Sequence, residues 1–138
     1  MIVYLDTSVA LRVLLGQRGT WEGWGRWSAA YSSDLLGLEA RRTIDRLRLE
    51  SALDDEGVAE AQEGLARIEA ATGRIPLTRL VLARAALPMA TAVKSLDAIH
   101  LASALRLAEN RRGPVLFVTH DERQALAART LGLACAGV

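Results

Sequence analysis

The stretch Ile2-Val3-Tyr4-Leu5-Asp6 places four apolar residues directly before an acid. Because the run is short and rich in β-forming residues, it predicts a buried strand that ends at Asp6. A second such run, Val115-Leu116-Phe117-Val118-Thr119, is followed closely by Asp121. Runs that are apolar throughout are typical of parallel strands covered on both faces. Both acids are therefore predicted just past the carboxyl end of a buried strand.

Helical patterns alternate with further short strands along the rest of the chain. Apolar spacing and capping residues predict helices over 8–15, 34–50, 54–71, 79–87, 96–109 and 121–131. Shorter runs predict strands over 30–33, 75–77 and 133–138. This alternation is typical of an α/β protein, in which a parallel sheet is covered by helices on both faces.

The composition favours one globular domain. A length of 138 residues, 51% of them hydrophobic, fits a single domain with a substantial core. No run approaches the roughly 20 apolar residues of a membrane span, and Asp6 and Arg12 make the N-terminus a poor signal peptide. Cys135 is the only cysteine, which excludes an intrachain disulfide. We therefore expect a cytoplasmic protein. A net charge of +1 does not by itself indicate nucleic-acid binding.

Two further acids, Glu39 and Asp97, lie near the starts of predicted helices. In a wound sheet, the carboxyl ends of the strands and the N-termini of the following helices share one edge, where ligands bind. Four carboxylates at that edge repel one another unless a cation is present. Because hard divalent cations take oxygen ligands, the pattern predicts a metal site and metal-assisted chemistry on a phosphate.

Each of these acids also has a structural interpretation, except Asp6. Asp121 fits a helix cap or capping box, and Asp97 complements a helix dipole. Glu39 can pair with Arg42, three residues further along the helix. Asp6 needs no cap or helix role at the end of its strand, so it is the acid that most strongly indicates a functional site.

Two histidines and three tryptophans leave two interpretations each. His100 and His120 lie beside predicted site acids and are either proton carriers or, as is commoner, structural histidines. The spacing of Trp21, Trp24 and Trp27 predicts one face of a short helix. Such a stripe favours a core or subunit-interface role over a base-stacking platform.

Four segments of the chain carry a family resemblance: Leu5–Leu11, Ser33–Glu39, Leu96–Ala104 and Val118–Arg123. With them the chain resembles PIN-domain nucleases, and more closely the VapC-type toxins of bacterial toxin–antitoxin pairs. The order of the segments and the total length also fit, and the third segment is the most specific. The resemblance implies one PIN-like domain over residues 1–138, with a three-layer α/β/α fold and a central, mainly parallel sheet.

The resemblance also implies a cofactor, an activity and partners. One or two Mg²⁺ or Mn²⁺ ions are expected on the four acids, Asp6, Glu39, Asp97 and Asp121. The implied activity is that of a metal-dependent endoribonuclease, a toxin with an RNA substrate and a small VapB-like antitoxin. Members of the family commonly form homodimers.

Further side chains are given supporting roles in this hypothesis. The hydroxyls of three residues are expected to orient the ligands or the phosphate: Thr7, Ser8 and Thr119. Arg42 and Arg46 follow Glu39 on the same flank of its helix. They either contact the RNA backbone or form salt bridges.

Three other functions remain open on the sequence alone. A PIN-like module could hold RNA or a protein without cutting it, although such a module has no need of clustered acids. An aspartyl-phosphate phosphatase would use Asp6 as the nucleophile, but the pattern of that class has a second Asp where this chain has Ser8. A nuclease directed at DNA is also open, because no residue can be assigned to a ribose 2′-hydroxyl.

Overall fold

The computed structural model describes residues 1–111 and 113–138. Within them lie the strands β1 (Ile2–Leu5), β2 (Ala29–Ser33), β3 (Gly73–Ile75), β4 (Val115–Val118) and β5 (Ala134–Ala136). They form one five-stranded sheet in the order β3-β2-β1-β4-β5, and every neighbouring pair is parallel. The predicted α/β fold with a central parallel sheet is confirmed.

The helices of the described residues are α1 (Thr7–Leu14), α2 (Leu35–Leu49), α3 (Asp55–Ala71), α4 (Arg79–Ala85), α5 (Ser95–Asn110) and α6 (Glu122–Thr130). Their order and type agree with the sequence prediction. Across residues 1–111 and 113–138, none of these helices combines the length and the apolar character needed to cross a membrane.

One face of the sheet is covered mainly by α5 and α6. Tyr4 and Phe117 lie side by side on this face, with stacked rings whose centroids are 5.4 Å apart and whose planes differ by 7°. Leu101 of α5 and Ala128 of α6 pack against them, and all four residues are fully buried. Much of α5 is therefore buried between the sheet and the neighbouring helices.

The opposite face is covered by α1 and by the segment that contains the tryptophans. Val3 and Leu5 point to this face, where the tryptophan rings pack on them. The rings of Trp21 and Trp27 stack at 6.3 Å, and Trp24 meets Trp27 edge-on at 5.2 Å. The three side chains therefore serve as core packing.

The short helix predicted for the tryptophan segment is wrong. Residues 21–27 form turns, closed by bonds such as that from the Trp24 amide to the Trp21 carbonyl (3.0 Å). Gly25 adopts a left-handed conformation with φ of 78°, which a helix does not accept. These turns, rather than a helix, bring the three tryptophan rings into contact.

Several element ends differ from prediction by a few residues, for local reasons. α2 begins at Leu35 rather than 34, and the Leu35 amide donates to the Ser33 hydroxyl (3.1 Å). The edge strand β3 ends before Pro76, which lacks the N–H needed to continue the ladder. α5 begins at Ser95, one residue before the predicted start at 96.

Candidate functional site

The carboxyl ends of β1 and β4 lie side by side and place Asp6 at the edge of the sheet. Leu5 pairs with Val118, and the Asp6 amide donates to the Val118 carbonyl (2.9 Å). α1 begins at the very next residue, so Asp6 is also its N-cap and accepts from the Ser8 amide (3.0 Å). The expectation that Asp6 has no capping role was therefore wrong, because no loop separates strand from helix.

The carboxylate of Asp6 is buried and held by donors on both oxygens. The Ser8 hydroxyl donates to Oδ2 (2.5 Å), and the Gln124 side-chain amide donates to Oδ1 (3.2 Å). Gln124 in turn accepts from the Thr119 hydroxyl (2.7 Å), whose oxygen accepts from the Asp121 amide (3.0 Å). This directed chain of hydrogen bonds ties the end of β4 and the start of α6 to the carboxylate of Asp6.

Gln124 was not identified from the sequence, although one signal was available. It is a buried polar residue on the inward side of α6, three and four residues before the buried Ala127 and Ala128. A glutamine among buried alanines needs polar partners inside the protein. The site therefore includes Gln124 beside the predicted hydroxyl residues Ser8 and Thr119.

Glu39 reaches the same edge from the second turn of α2. Its Oε1 accepts from the Thr7 hydroxyl (2.8 Å) and bonds to His100 Nε2 (2.6 Å). The same nitrogen lies 3.7 Å from Asp6 Oδ1. One buried imidazole thus stands between two of the predicted site acids.

The pKa of His100 is raised above its ordinary value. Burial alone would lower it, but the hydrogen bond that His100 donates to Glu39 and the negative charges of Asp6, Glu39 and Asp97 outweigh that effect. The charges of three of the four predicted site acids therefore act on His100. It is a buried residue of the core that also lies close to the site.

Asp97 lies in the first turn of α5, facing a small cavity of about 80 Å³ that Asp121 and Gln124 also line. Burial raises the pKa of Asp97, and the negative charges of Asp6, Asp121 and Glu39 raise it further. Asp121 is exposed and caps α6, accepting from the amides of Arg123 (2.8 Å) and Gln124 (3.1 Å). The structure therefore brings Asp97 within electrostatic reach of the other three predicted acids.

This donor set suits a hard divalent cation in its chemistry. The acids offer carboxylate oxygens, and the pKa of Asp97 is raised first by burial and then by the neighbouring negative charges, which a cation would offset. In their present orientations, no three His, Cys, Asp or Glu side chains of the described ranges lie close enough together to hold an ion. Thr7 and His100 both bond to Oε1 of Glu39, and Ser8 and Gln124 hold the two oxygens of Asp6.

A groove of about 740 Å³ runs along the surface from this edge. Ser8, His120 and Asp121 line it near the acids, and three arginines line it as well: Arg12, Arg46 and Arg123. Arg12 and Arg123 were not identified from the sequence, because their approach depends on how α1 and α6 pack. The guanidinium groups make the groove suitable for phosphate.

Both arginines that were named from the sequence form ion pairs on the exposed surface of α2. Arg42 pairs with Asp45 (2.7 Å), and Arg46 pairs with Glu50 (3.2 Å). Exposed pairs of this kind contribute little free energy, roughly 0–1 kcal/mol, so they break readily. Arg46 also lines the groove, whereas Arg42 points to Asp45.

His120 is oriented by the residue that directly follows β5. Its Nδ1 lies 2.6 Å from the Gly137 carbonyl and must donate to it, since a carbonyl only accepts. Nε2 is then buried without a hydrogen-bond partner among the described residues. The ring stands at the junction of the acids and the groove.

The parallel sheet with helices on both faces defines a doubly wound α/β domain, a class in which ligands generally bind at the carboxyl edge of the sheet. Comparison with known proteins identifies the family within this class. Residues 3–130 match the model of the PIN domain. The chain belongs to the PIN domain family.

The relatives are matched over nearly their whole length. The chain is 30% identical over 136 residues to ribonuclease VapC47 of Mycobacterium tuberculosis (strain CDC 1551 / Oshkosh), covering 98% of this chain and 96% of the relative. Its fold is similar to that of VapBC2 from Rickettsia felis, solved bound to a promoter DNA fragment, with a TM-score of 0.65, 13% identity and coverage of 99% and 98%. A toxin–antitoxin complex from Klebsiella pneumoniae gives a TM-score of 0.63 at 17% identity, with 93% of each chain covered.

Proposed function

We propose that the protein is a Mg²⁺- or Mn²⁺-dependent endoribonuclease that acts as the toxin of a toxin–antitoxin pair. The observation that carries the proposal is that three acids act electrostatically on Asp97 at one edge of a PIN domain sheet, beside an arginine-lined groove. Similarity to a protein named as a ribonuclease supports RNA as the substrate.

In this proposal the metal is held by Asp6 and Asp97, with Glu39 and Asp121 completing the site. A bound divalent ion lowers the pKa of a water molecule and offsets the charge that builds on the phosphoryl oxygens. The protein's own part is to keep the carboxylates in place. Ser8 and Gln124 hold Asp6, and Thr7 holds Glu39.

The groove would hold the RNA backbone on either side of the scissile phosphate. Arg12, Arg46 and Arg123 line it, and a guanidinium can bind a phosphate through two hydrogen bonds at once. The groove meets the acids at Asp121, so a strand lying in it would present a phosphodiester to the site.

The proposal is tested by incubating the purified chain, free of any bound partner, with total RNA. Discrete cuts that require Mg²⁺ or Mn²⁺ and disappear with EDTA are the expected result, and mapping the cut ends would identify the target. RNA that stays intact in a sample able to bind Mn²⁺, or cleavage that persists in EDTA, would contradict the proposed activity.

Replacing Arg12 and Arg123 together by Gln is expected to weaken RNA binding about 10-fold or more and to flatten its salt dependence. Each lost phosphate contact reduces the number of counterions released on binding. Binding is measured at several salt concentrations in EDTA, which prevents cleavage. The matched control is Arg79→Gln, on the exposed first turn of α4. If Arg79→Gln weakened RNA binding as much as the double variant does, the groove would not be the RNA-binding surface.

The partner is proposed to be a small antitoxin, because the structural neighbours are solved as toxin–antitoxin complexes. Expression of the chain alone should arrest growth, and coexpression of the neighbouring small gene should relieve the arrest. A chain that cleaves RNA in vitro but leaves growth unchanged would argue against a toxin role.

A homodimer is also proposed, and it would cover an exposed group of leucines around α4. They are between 42% and 63% exposed: Leu77, Leu80, Leu82 and Leu87. Apolar patches of this kind commonly mark protein interfaces. Light scattering should give twice the chain mass, and Leu80→Glu should reduce it to the chain mass. A monomer at high concentration without the substitution would contradict the dimer.

A further inference from the structure

A buried hydrogen-bond chain runs from the middle of the sheet to the site. Tyr4 Oη lies 2.8 Å from His100 Nδ1, and His100 Nε2 lies 2.6 Å from Glu39 Oε1. Tyr4 and His100 are fully buried, and their rings meet edge-on at 5.9 Å. The chain thus joins β1, α5 and α2 through three side chains.

The direction of the bond at Glu39 is fixed by its chemistry. An ionised carboxylate only accepts, so His100 Nε2 must carry a proton and donate it. This holds whether the imidazole is neutral or charged. In the neutral ring Nδ1 is the acceptor, and the Tyr4 hydroxyl then donates to it. Burial raises the pKa of Tyr4 well above its usual value, and the charge of Asp6 raises it further, so Tyr4 keeps its proton.

Glu39 is less firmly fixed than Asp6, because Thr7 is its only side-chain donor besides His100 among the described residues. Its side chain has three rotatable bonds, and its carboxylate lies in the partly exposed part of the site. Asp6 is held by its own strand end and by two side-chain donors. The imidazole reaches both acids, since Nε2 is 2.6 Å from Glu39 and 3.7 Å from Asp6.

We propose that His100, oriented by Tyr4, is a positioning residue that holds the carboxylate of Glu39 beside Asp6 for metal binding. This inference rests on the proposed function, in which Glu39 contributes to the metal site. Donors behind a ligating carboxylate fix its orientation, and their loss typically weakens metal affinity about 10–100-fold. The rigid ring on α5 therefore acts on the site through Glu39.

The test compares Mn²⁺ affinity in His100→Leu and His100→Gln. Both variants remove the ring that Tyr4 contacts, but the Gln amide nitrogen can still donate from about the position of Nε2. We expect His100→Leu to weaken Mn²⁺ binding about 10–100-fold and His100→Gln to restore most of the loss. Thermal melting of both variants separates loss of fold from loss of positioning. If His100→Leu folds and binds Mn²⁺ like the unsubstituted protein, the inference is overturned.

A double-mutant cycle with Glu39→Gln separates positioning from a general structural role. Because His100 acts through Glu39, His100→Leu should cause little further loss of Mn²⁺ affinity in the Glu39→Gln background. A purely structural role would give the same fold-loss in both backgrounds, and that result would also overturn the inference.

The bond itself is observable in the metal-free protein. Nitrogen-15 NMR of the imidazole should show a low-field Nε2–H proton that moves in Glu39→Ala. Failure of the unsubstituted protein to bind Mn²⁺ would contradict the proposed function. In that case the NMR result still decides the His100–Glu39 bond, and an unmoved proton would overturn it.

Discussion

Replacing Asp97 by Asn is expected to lower RNA cleavage at least about 100-fold while leaving the fold intact. Metal ions supply several kcal/mol of transition-state stabilisation, and roughly 1.4 kcal/mol corresponds to a tenfold change in rate. Asn keeps the shape of the side chain but removes the charge on which the cation depends. Single-turnover cleavage of a mapped RNA target measures the effect.

The same substitution should stabilise the metal-free protein. Because burial and the charges of Asp6 and Asp121 raise the folded-state pKa of Asp97, ionising it costs more in the folded than in the unfolded chain. The stability that the protonated carboxyl of Asp97 contributes is fully present below the unfolded-state pKa. It is lost as the pH rises through the folded-state pKa. At neutral pH, Asp97→Asn should therefore raise the Tm by roughly 1–4 °C.

The matched control for this pair of effects is Asp55→Asn. Asp55 lies in the exposed first turn of α3, where its charge favours the helix dipole. Its substitution should leave cleavage unchanged and should not raise the Tm. Retained cleavage in Asp97→Asn would contradict the role of Asp97 in the metal site. A Tm of Asp97→Asn below that of the unsubstituted protein, both measured in EDTA, would contradict the electrostatic cost of its charge.

Phe117→Ala is expected to cause the largest loss of stability. Phe117 is fully buried in the middle of β4, and its ring stacks on Tyr4. Removing a buried phenyl ring leaves a cavity and costs about 3–5 kcal/mol, which corresponds to a fall in Tm of roughly 10–20 °C. Urea unfolding and thermal melting measure the change.

A smaller substitution at the same position provides the control. Phe117→Leu fills most of the space and should cost much less than Phe117→Ala. The alanine variant should also loosen Tyr4, which is the partner of His100. If Phe117→Ala lowered the free energy of unfolding by less than about 1 kcal/mol, Phe117 would not be part of a tightly packed core on this face of the sheet.

Local patterns predicted the sheet and the places of the acids. The apolar runs before Asp6 and Asp121 are strands because apolar β-formers are buried on both faces of a parallel sheet. Glu39 and Asp97 lie in the first two turns of helices, as the apolar spacing along these helices indicated. Convergence at one edge then follows from the topology rather than from any single residue.

The remaining features depend on tertiary packing that no local pattern carries. The link from Gln124 to Asp6 spans 118 positions, and that from His100 to Tyr4 spans 96. The tryptophan segment misled the prediction because a three-residue spacing fits a helix, whereas Gly25 requires a turn. Arg12 entered the groove through the packing of α1 and not through any motif.

Mn²⁺ binding by metal-stripped protein, followed by the electron paramagnetic resonance of free Mn²⁺, tests the carboxylate site most directly. We expect one or two ions per chain in the unsubstituted protein and a loss of affinity of at least about 10-fold in Asp97→Asn. Binding that is absent at millimolar Mn²⁺, or equal in the two proteins, would contradict a metal site built from Asp6, Glu39, Asp97 and Asp121.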